Sequence, residues 1–308
     1  MTGDRSPRDH RAPGNGPDGA APAPEIHESR TADVGGAEVR RALPRRGHRT
    51  VGAWCFADHF GPALGTAGSI GPHPHVGLQT VTWLLEGELL HRDSLGSEQL
   101  IKPGQLNLMT AGKGVVHAEE ADPGWVGPRH GVQLWVALPH ATRNGPAAFE
   151  HHDVLPEIEF AGASGVVLVG EFDSAVSPAR ADTDHVGVEL TVWSPATIPL
   201  RPAAEYALIP LNGPISLNGT ELGVGEVAYL APGRDEIELT PDIASRALLV
   251  GGSPFEYEPL MWWNFVARTR EEISQAYLDW ESEDPRFGPV HTKLDRVSTS
   301  APIWLDRR

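Results

Sequence analysis

Two short motifs carry the residues best suited to chemistry: His73-Pro74-His75 and His117-Ala118-Glu119. Each pair is spaced i, i+2, and in an extended strand that spacing puts both side chains on one face. Two such strands lying side by side would aim three imidazoles and one carboxylate at a single point. That is the donor set of a metal centre, and these borderline-to-hard ligands suit Fe(II), Mn(II), Ni(II), Cu(II) or Zn(II). An octahedral ion held by His73, His75, His117 and Glu119 keeps two positions open for O2, water or a chelating substrate. Open positions of that kind point to dioxygenase chemistry rather than to a structural ion. Glu119 is the one donor that can also take a phenolic or enolic proton. A lone His-x-His is weak evidence of a metal; the second pair, at a glycine-rich corner, strengthens it.

The elements that must position these residues read as short strands broken by turns. The run QTVTWLL at 79–85 alternates β-branched and aromatic residues. Val81 and Trp83 share parity with His73 and His75, so the histidines continue an inward face. Glu86-Gly87 marks a turn, 88–93 a return strand, 94–97 a second turn, and 106–111 a further strand before the Gly112–Gly114 corner. This pattern predicts an all-β fold of antiparallel sandwiches or barrels. Earlier in the chain, 51–57 reads as a buried strand in which Cys55 is a small core residue.

The second half repeats the design. Gly225 and Gly233 are spaced like Gly104 and Gly112, and 213–219 resembles the stretch after Gly87. Counting in that register places Pro199, Arg201, Glu238 and Thr240 where the first half has its donors. The second copy is therefore expected to keep the scaffold without the ligands. The domain expectation is an unstructured tail at 1–28, a metal-binding domain at 29–155, a ligand-free one at 156–262, and a helix and tail at 263–308. Thr269 and Glu272 form a capping-box pattern, and Ile273, Ala276, Tyr277 and Trp280 make a helical apolar stripe expected to pack on the second barrel and to end before Pro285. The run at 261–266 is expected to be core or inter-domain filler.

Composition narrows the function. The formal charge of −16 over 308 residues argues against a nucleic-acid backbone as partner. The one basic cluster, 40–49, reads as a solvated lead-in to the first strand. A single cysteine excludes a disulfide framework or a thiolate-rich metal site and suits a reducing compartment. No apolar run approaches the ~20 residues of a membrane helix, and residues 1–25 lack the apolar core of a secretory signal, so a cytoplasmic location is expected. Met109, Trp83, Phe60 and Trp135 are candidates for an apolar lining, His91 and His130 for support behind the ligands, and His151-His152 for a polar surface linker.

The stretch from Gly71 to Gly96 followed by Ile101 to Glu120 resembles the pirin family of the cupin superfamily, as do 58–62, 130–139 and 265–273. The resemblance covers roughly residues 35 to 290. It implies two cupin, jelly-roll-type barrels in tandem with a short C-terminal α-helix, and one iron in the first barrel, held at His73, His75, His117 and Glu119. It further implies quercetin 2,3-dioxygenase-like activity, cleaving a flavonol or related enolic substrate with O2. An alternative it implies is a non-enzymatic, metal- and redox-dependent regulator that binds a protein partner, a metabolic enzyme or a transcription factor. A cupin isomerase or decarboxylase using Zn(II) or Mn(II) is a third reading. Val76-Gly77-Leu78 after the histidine pair and Gly71-Pro72 before it depart from the usual pirin pattern, which bears on the substrate wall more than on the ligands.

Overall fold

The structure is a computed structural model and describes residues 21–64, 69–121, 124–125 and 127–305. The expected all-β architecture is observed, with one helix, Arg270–Glu281, among the described residues. Two compact units divide the chain. One comprises Met1–Arg30, Ala42–Cys55 and Leu155–Glu258; the other comprises Thr31–Arg41, Phe56–Val154 and Pro259–Arg308.

A seven-stranded sheet, most of it in the second of these units, runs Ala148–His152, Leu106–Thr110, Leu78–Glu86, Arg129–Ala137, Trp54–Ala63, Ala37–Leu43, Arg30–Val34. A four-stranded sheet runs Ile70–His75, Val115–Ala121, Leu89–Asp93, Glu98–Ile101. Alternation sends Val81, Trp83, Leu106, Leu108, Val132 and Leu134 inside, each at most 1% exposed. Arg40 and Arg41 lie within the strand Ala37–Leu43, not in a solvated lead-in. The strand expected at 51–57 instead begins at Trp54, because Gly52 takes a left-handed turn at φ +53.

The other unit repeats the plan. Its seven-stranded sheet runs Glu25–Glu28, Glu226–Leu230, Glu205–Asn212, Ser245–Gly252, Val186–Val192, Ala163–Val169, Glu157–Phe160. Its four-stranded sheet runs Ala196–Pro199, Glu236–Pro241, Ile215–Leu217, Thr220–Leu222. Gly104 and Gly225 turn the chain at φ +83 and +99, a region that L side chains rarely adopt, so the glycine spacing marks equivalent corners.

Three further expectations are corrected. The tail drawn to residue 28 ends earlier: Glu25–Glu28 pair with Glu226–Leu230, backbone pairing that composition cannot signal. Residues 1–20 of that tail lie outside the described residues. The helix packs on the first barrel, not the second, with Ile273, Ala276 and Trp280 joining Val116 and Phe265. Arg143 fixes it there through a two-pronged ion pair with Glu272 at 3.1 and 2.7 Å. Thr269 caps it as expected, its hydroxyl accepting the Glu272 N–H at 3.2 Å. The register count in the second barrel was one residue out. Pro199, Arg201, Glu238 and Thr240 are exposed, while Ile198, Leu200, Ile237 and Leu239 are buried. A side-chain period of two means one extra loop residue exchanges the faces.

Candidate metal centre

The strands Ile70–His75 and Val115–Ala121 run antiparallel with His73 opposite His117 and His75 opposite Val115. His73, His75 and His117 are all buried, and one ring nitrogen of each lies within 4.8 Å of the others. Ring centroids are 5.1 Å apart for His73 and His75, 4.3 Å for His73 and His117, and 4.9 Å for His75 and His117. The Gly71 carbonyl accepts the His73 Nδ1–H at 2.8 Å, which leaves Nε2 of that ring as a bare donor. His75 and His117 face each other Nε2 to Nε2 at 3.0 Å. All three rings thus turn Nε2 to one point.

Burial keeps these rings neutral. It lowers His73 to about 4 and drives His75 and His117 well below the ordinary histidine value, with neighbouring imidazoles adding to the effect. A neutral imidazole is the form that binds a metal, so the donor chemistry fits a divalent transition ion. Glu119 is buried and faces the same cavity. Its carboxylate does not belong to the 4.8 Å grouping of the three imidazoles, and the pairing with Ile70–His75 shifts register between His117 and Glu119. Burial pushes its carboxyl up to about 7.

Behind His117 stands a second pair of polar groups. Nδ1 of His117 lies 3.4 Å from Nδ1 of His91, and Nε2 of His91 lies 3.1 Å from the Asp93 carboxylate. With Nε2 of His117 turned to the centre, its Nδ1–H donates to His91, whose Nε2–H donates to Asp93. Burial opposes the charge on Asp93, but hydrogen bonds from His91 and Ser97 hold its carboxyl below the usual range. Phe149 stacks on His91 at 4.4 Å and holds the ring plane.

The three imidazoles open onto a cavity of about 650 Å³, within the size range of small-molecule sites. One wall is a stack. Trp135 meets His75 edge-on at 5.1 Å, Phe56 lies flat on Trp135 at 4.0 Å, and the Arg41 guanidinium sits 4.5 Å over Phe56. Asp58 holds Arg41 by two bonds of 2.7 Å. The cavity therefore has an aromatic wall that ends in a fixed cation.

Of the residues singled out in the sequence, Phe60 and Trp135 line this cavity. Trp83 is packed in the core, and Met109 belongs to a separate apolar cluster with Ala111 and Val115. His91 supports His117, whereas His130 pairs with His59, Nε2 to Nε2 at 2.7 Å. His151 and His152 are in the strand Ala148–His152, not a linker, and His151 meets Asn107 at 2.7 Å. Sequence reasoning missed Asp93, Arg41, Phe56 and Asp58. A usable signal existed for Asp93, which is i+2 from His91 on a strand. Arg41 was hidden because a run of basic residues reads as solvated surface.

Comparisons with known proteins agree with this geometry. The pirin family model matches residues 36–136, and the model of the pirin C-terminal cupin domain matches 186–288. A Pseudomonas aeruginosa protein that carries the provisional name quercetin 2,3-dioxygenase is 44% identical over 292 residues, 91% of this chain and 92% of its own length. A pirin-like protein of Caulobacter vibrioides is 36% identical over 83% of this chain and 92% of its own. The crystal structure of a quercetin 2,3-dioxygenase from Acinetobacter baumannii superposes with a TM-score of 0.87 at 44% identity, covering 91% of this chain and 96% of that one. Paired barrels, a buried histidine trio in the first of them and matches along both halves lead to one conclusion: the chain belongs to the pirin family.

Proposed function

We propose that this protein is a metal-dependent dioxygenase of the quercetinase type, cleaving a flavonol or a related enolic substrate with O2. Fe(II) is the ion proposed, held by His73, His75 and His117 with Glu119 as fourth donor. The observation that carries the reading is the set of three neutral, desolvated imidazoles facing an aromatic-walled cavity of about 650 Å³. When bound, the ion would supply Lewis acidity toward an enolate oxygen and access to O2.

The remaining work falls to the side chains. The aromatic wall of Phe56 and Trp135 suits a fused aromatic ring, held by edge contacts and apolar burial. Arg41, held by Asp58, faces a phenolic or carbonyl oxygen at the far end of that ring. The Glu119 carboxylate, buried and lining the same cavity, takes the enolic hydroxyl proton. Buried apolar walls keep bulk water from the ionised substrate.

The test is anaerobic loading with Fe(II), elemental analysis, and then O2 uptake and carbon monoxide release with a panel of flavonols. Iron-loaded protein that turns over none of them removes the quercetinase reading.

A further inference from the structure

We propose that Glu25, His27 and His48 form a second divalent-metal site, on the unit that includes the second barrel, taking a borderline transition ion such as Zn(II). Glu25 and His27 are i, i+2 on the strand Glu25–Glu28, which pairs antiparallel with Glu226–Leu230 so that Glu25 is opposite Tyr229 and His27 opposite Val227. His48 reaches the same place from a turn. The Arg45 N–H donates to the His48 carbonyl at 3.0 Å, and Gly47 between them sits at φ +91, where no other residue is comfortable. The three donor atoms lie within 4.8 Å of one another. One Glu25 carboxylate oxygen is 3.0 Å from His48 Nε2 and 3.6 Å from His27 Nε2. That second nitrogen is buried and has no hydrogen-bond partner, a lone pair or N–H left unsatisfied next to a carboxylate.

The rest of the surroundings pre-position the donors. His48 stacks on Tyr229 at 3.8 Å, and the Tyr229 hydroxyl donates to Glu205 at 2.7 Å, so the ring's platform is itself anchored. Arg45 donates to the Glu28 carbonyl at 2.7 Å and Arg30 to the Pro44 carbonyl at 3.2 Å, tying turn to strand from both sides. Two imidazoles and a carboxylate on one face are a ligand set for Zn(II), Ni(II) or Cu(II) with water filling the other positions. Glu25–Glu28 is the edge strand of its sheet and only four residues long. An ion bridging it to the turn fastens an element that has a single strand neighbour.

The experiment uses tag-free protein stripped of metal and titrated with Zn(II), with bound metal counted by elemental analysis after desalting. Wild-type protein should hold one equivalent more than the His48→Asn, His27→Asn or Glu25→Gln variants. That difference is independent of whether the barrel histidines also fill, since none of these substitutions touches them. Zn(II) should also slow amide exchange over residues 25–28 in the wild type and not in His48→Asn. A His117→Ala variant should retain the extra equivalent. Equal metal content in wild type and all three variants, or an equivalent lost in one variant and kept in the other two, would overturn the site.

Discussion

The two barrels share a strand order and differ in what fills them. Each pairs a seven-stranded sheet with a four-stranded one, and the connectivities correspond except at one outer strand, Ala148–His152 in the first and Glu25–Glu28 in the second. In the first, the strand pair Ile70–His75 and Val115–Ala121 turns His73 and His117 inward; in the second, the corresponding pair Ala196–Pro199 and Glu236–Pro241 sets Ile198 opposite Ile237. The main cluster of buried apolar residues in the second is aliphatic apart from Phe172 and Tyr206. The first gives up part of its core to a cavity with buried imidazoles, each of which costs desolvation free energy. Backbone pairing is indifferent to that exchange, so the scaffold and the chemistry vary separately.

The sharpest test of this contrast is to empty the first centre. His117→Ala should abolish tight metal binding at this centre while sparing the Glu25, His27 and His48 site, a loss larger than the about 10–100-fold that outer partners of a ligand contribute, measured by chelator competition. Full metal retention by that variant would break the comparison, because the ion would then not need the histidine trio. The converse substitution is Leu208→Ala in the second barrel, which should cost about 2–5 kcal/mol in denaturant unfolding while leaving the metal count of the first centre unchanged.

Acid provides an intermediate effect. His185 is buried against Trp54, and burial lowers it from 6.5 to about 4 despite the opposing pull of Asp182 and Asp184. The unfolded chain therefore takes up this proton first as pH falls. The stability linked to His185 is present in full above about pH 6.5 and is lost progressively toward pH 4. A His185→Phe variant should show a flatter dependence of unfolding free energy over that window. An unchanged slope would place the acid sensitivity elsewhere.

Behind the ligands, His91→Phe should weaken metal affinity by about 10–100-fold without unfolding the protein, and His91→Gln should recover part of the loss because its side chain can still accept from His117. An affinity equal to wild type in His91→Phe would reduce that pair to packing. The smallest effect expected is Thr269→Ala at the helix cap, about 1 kcal/mol of stability, read from the denaturation midpoint at constant m-value.

The sequence by itself determined the all-β class, the two-fold repetition and the identity of the inward histidines, because strand alternation, glycine turns and i, i+2 spacing are local properties of the chain. It also placed the start and stop of the helix, which depend on Thr269 and on a stripe within one element. Tertiary structure alone decided what the helix packs on, that Glu25–Glu28 complete a sheet, and that Asp93 lies behind His91, which lies behind His117. It also brought Arg41, Phe56 and Trp135 into one wall from three strands, one of them far from the others in sequence. These are meetings between segments, set by register and by side-chain packing. A one-residue change in a loop is enough to exchange the two faces of a strand, as Ile198 and Pro199 show.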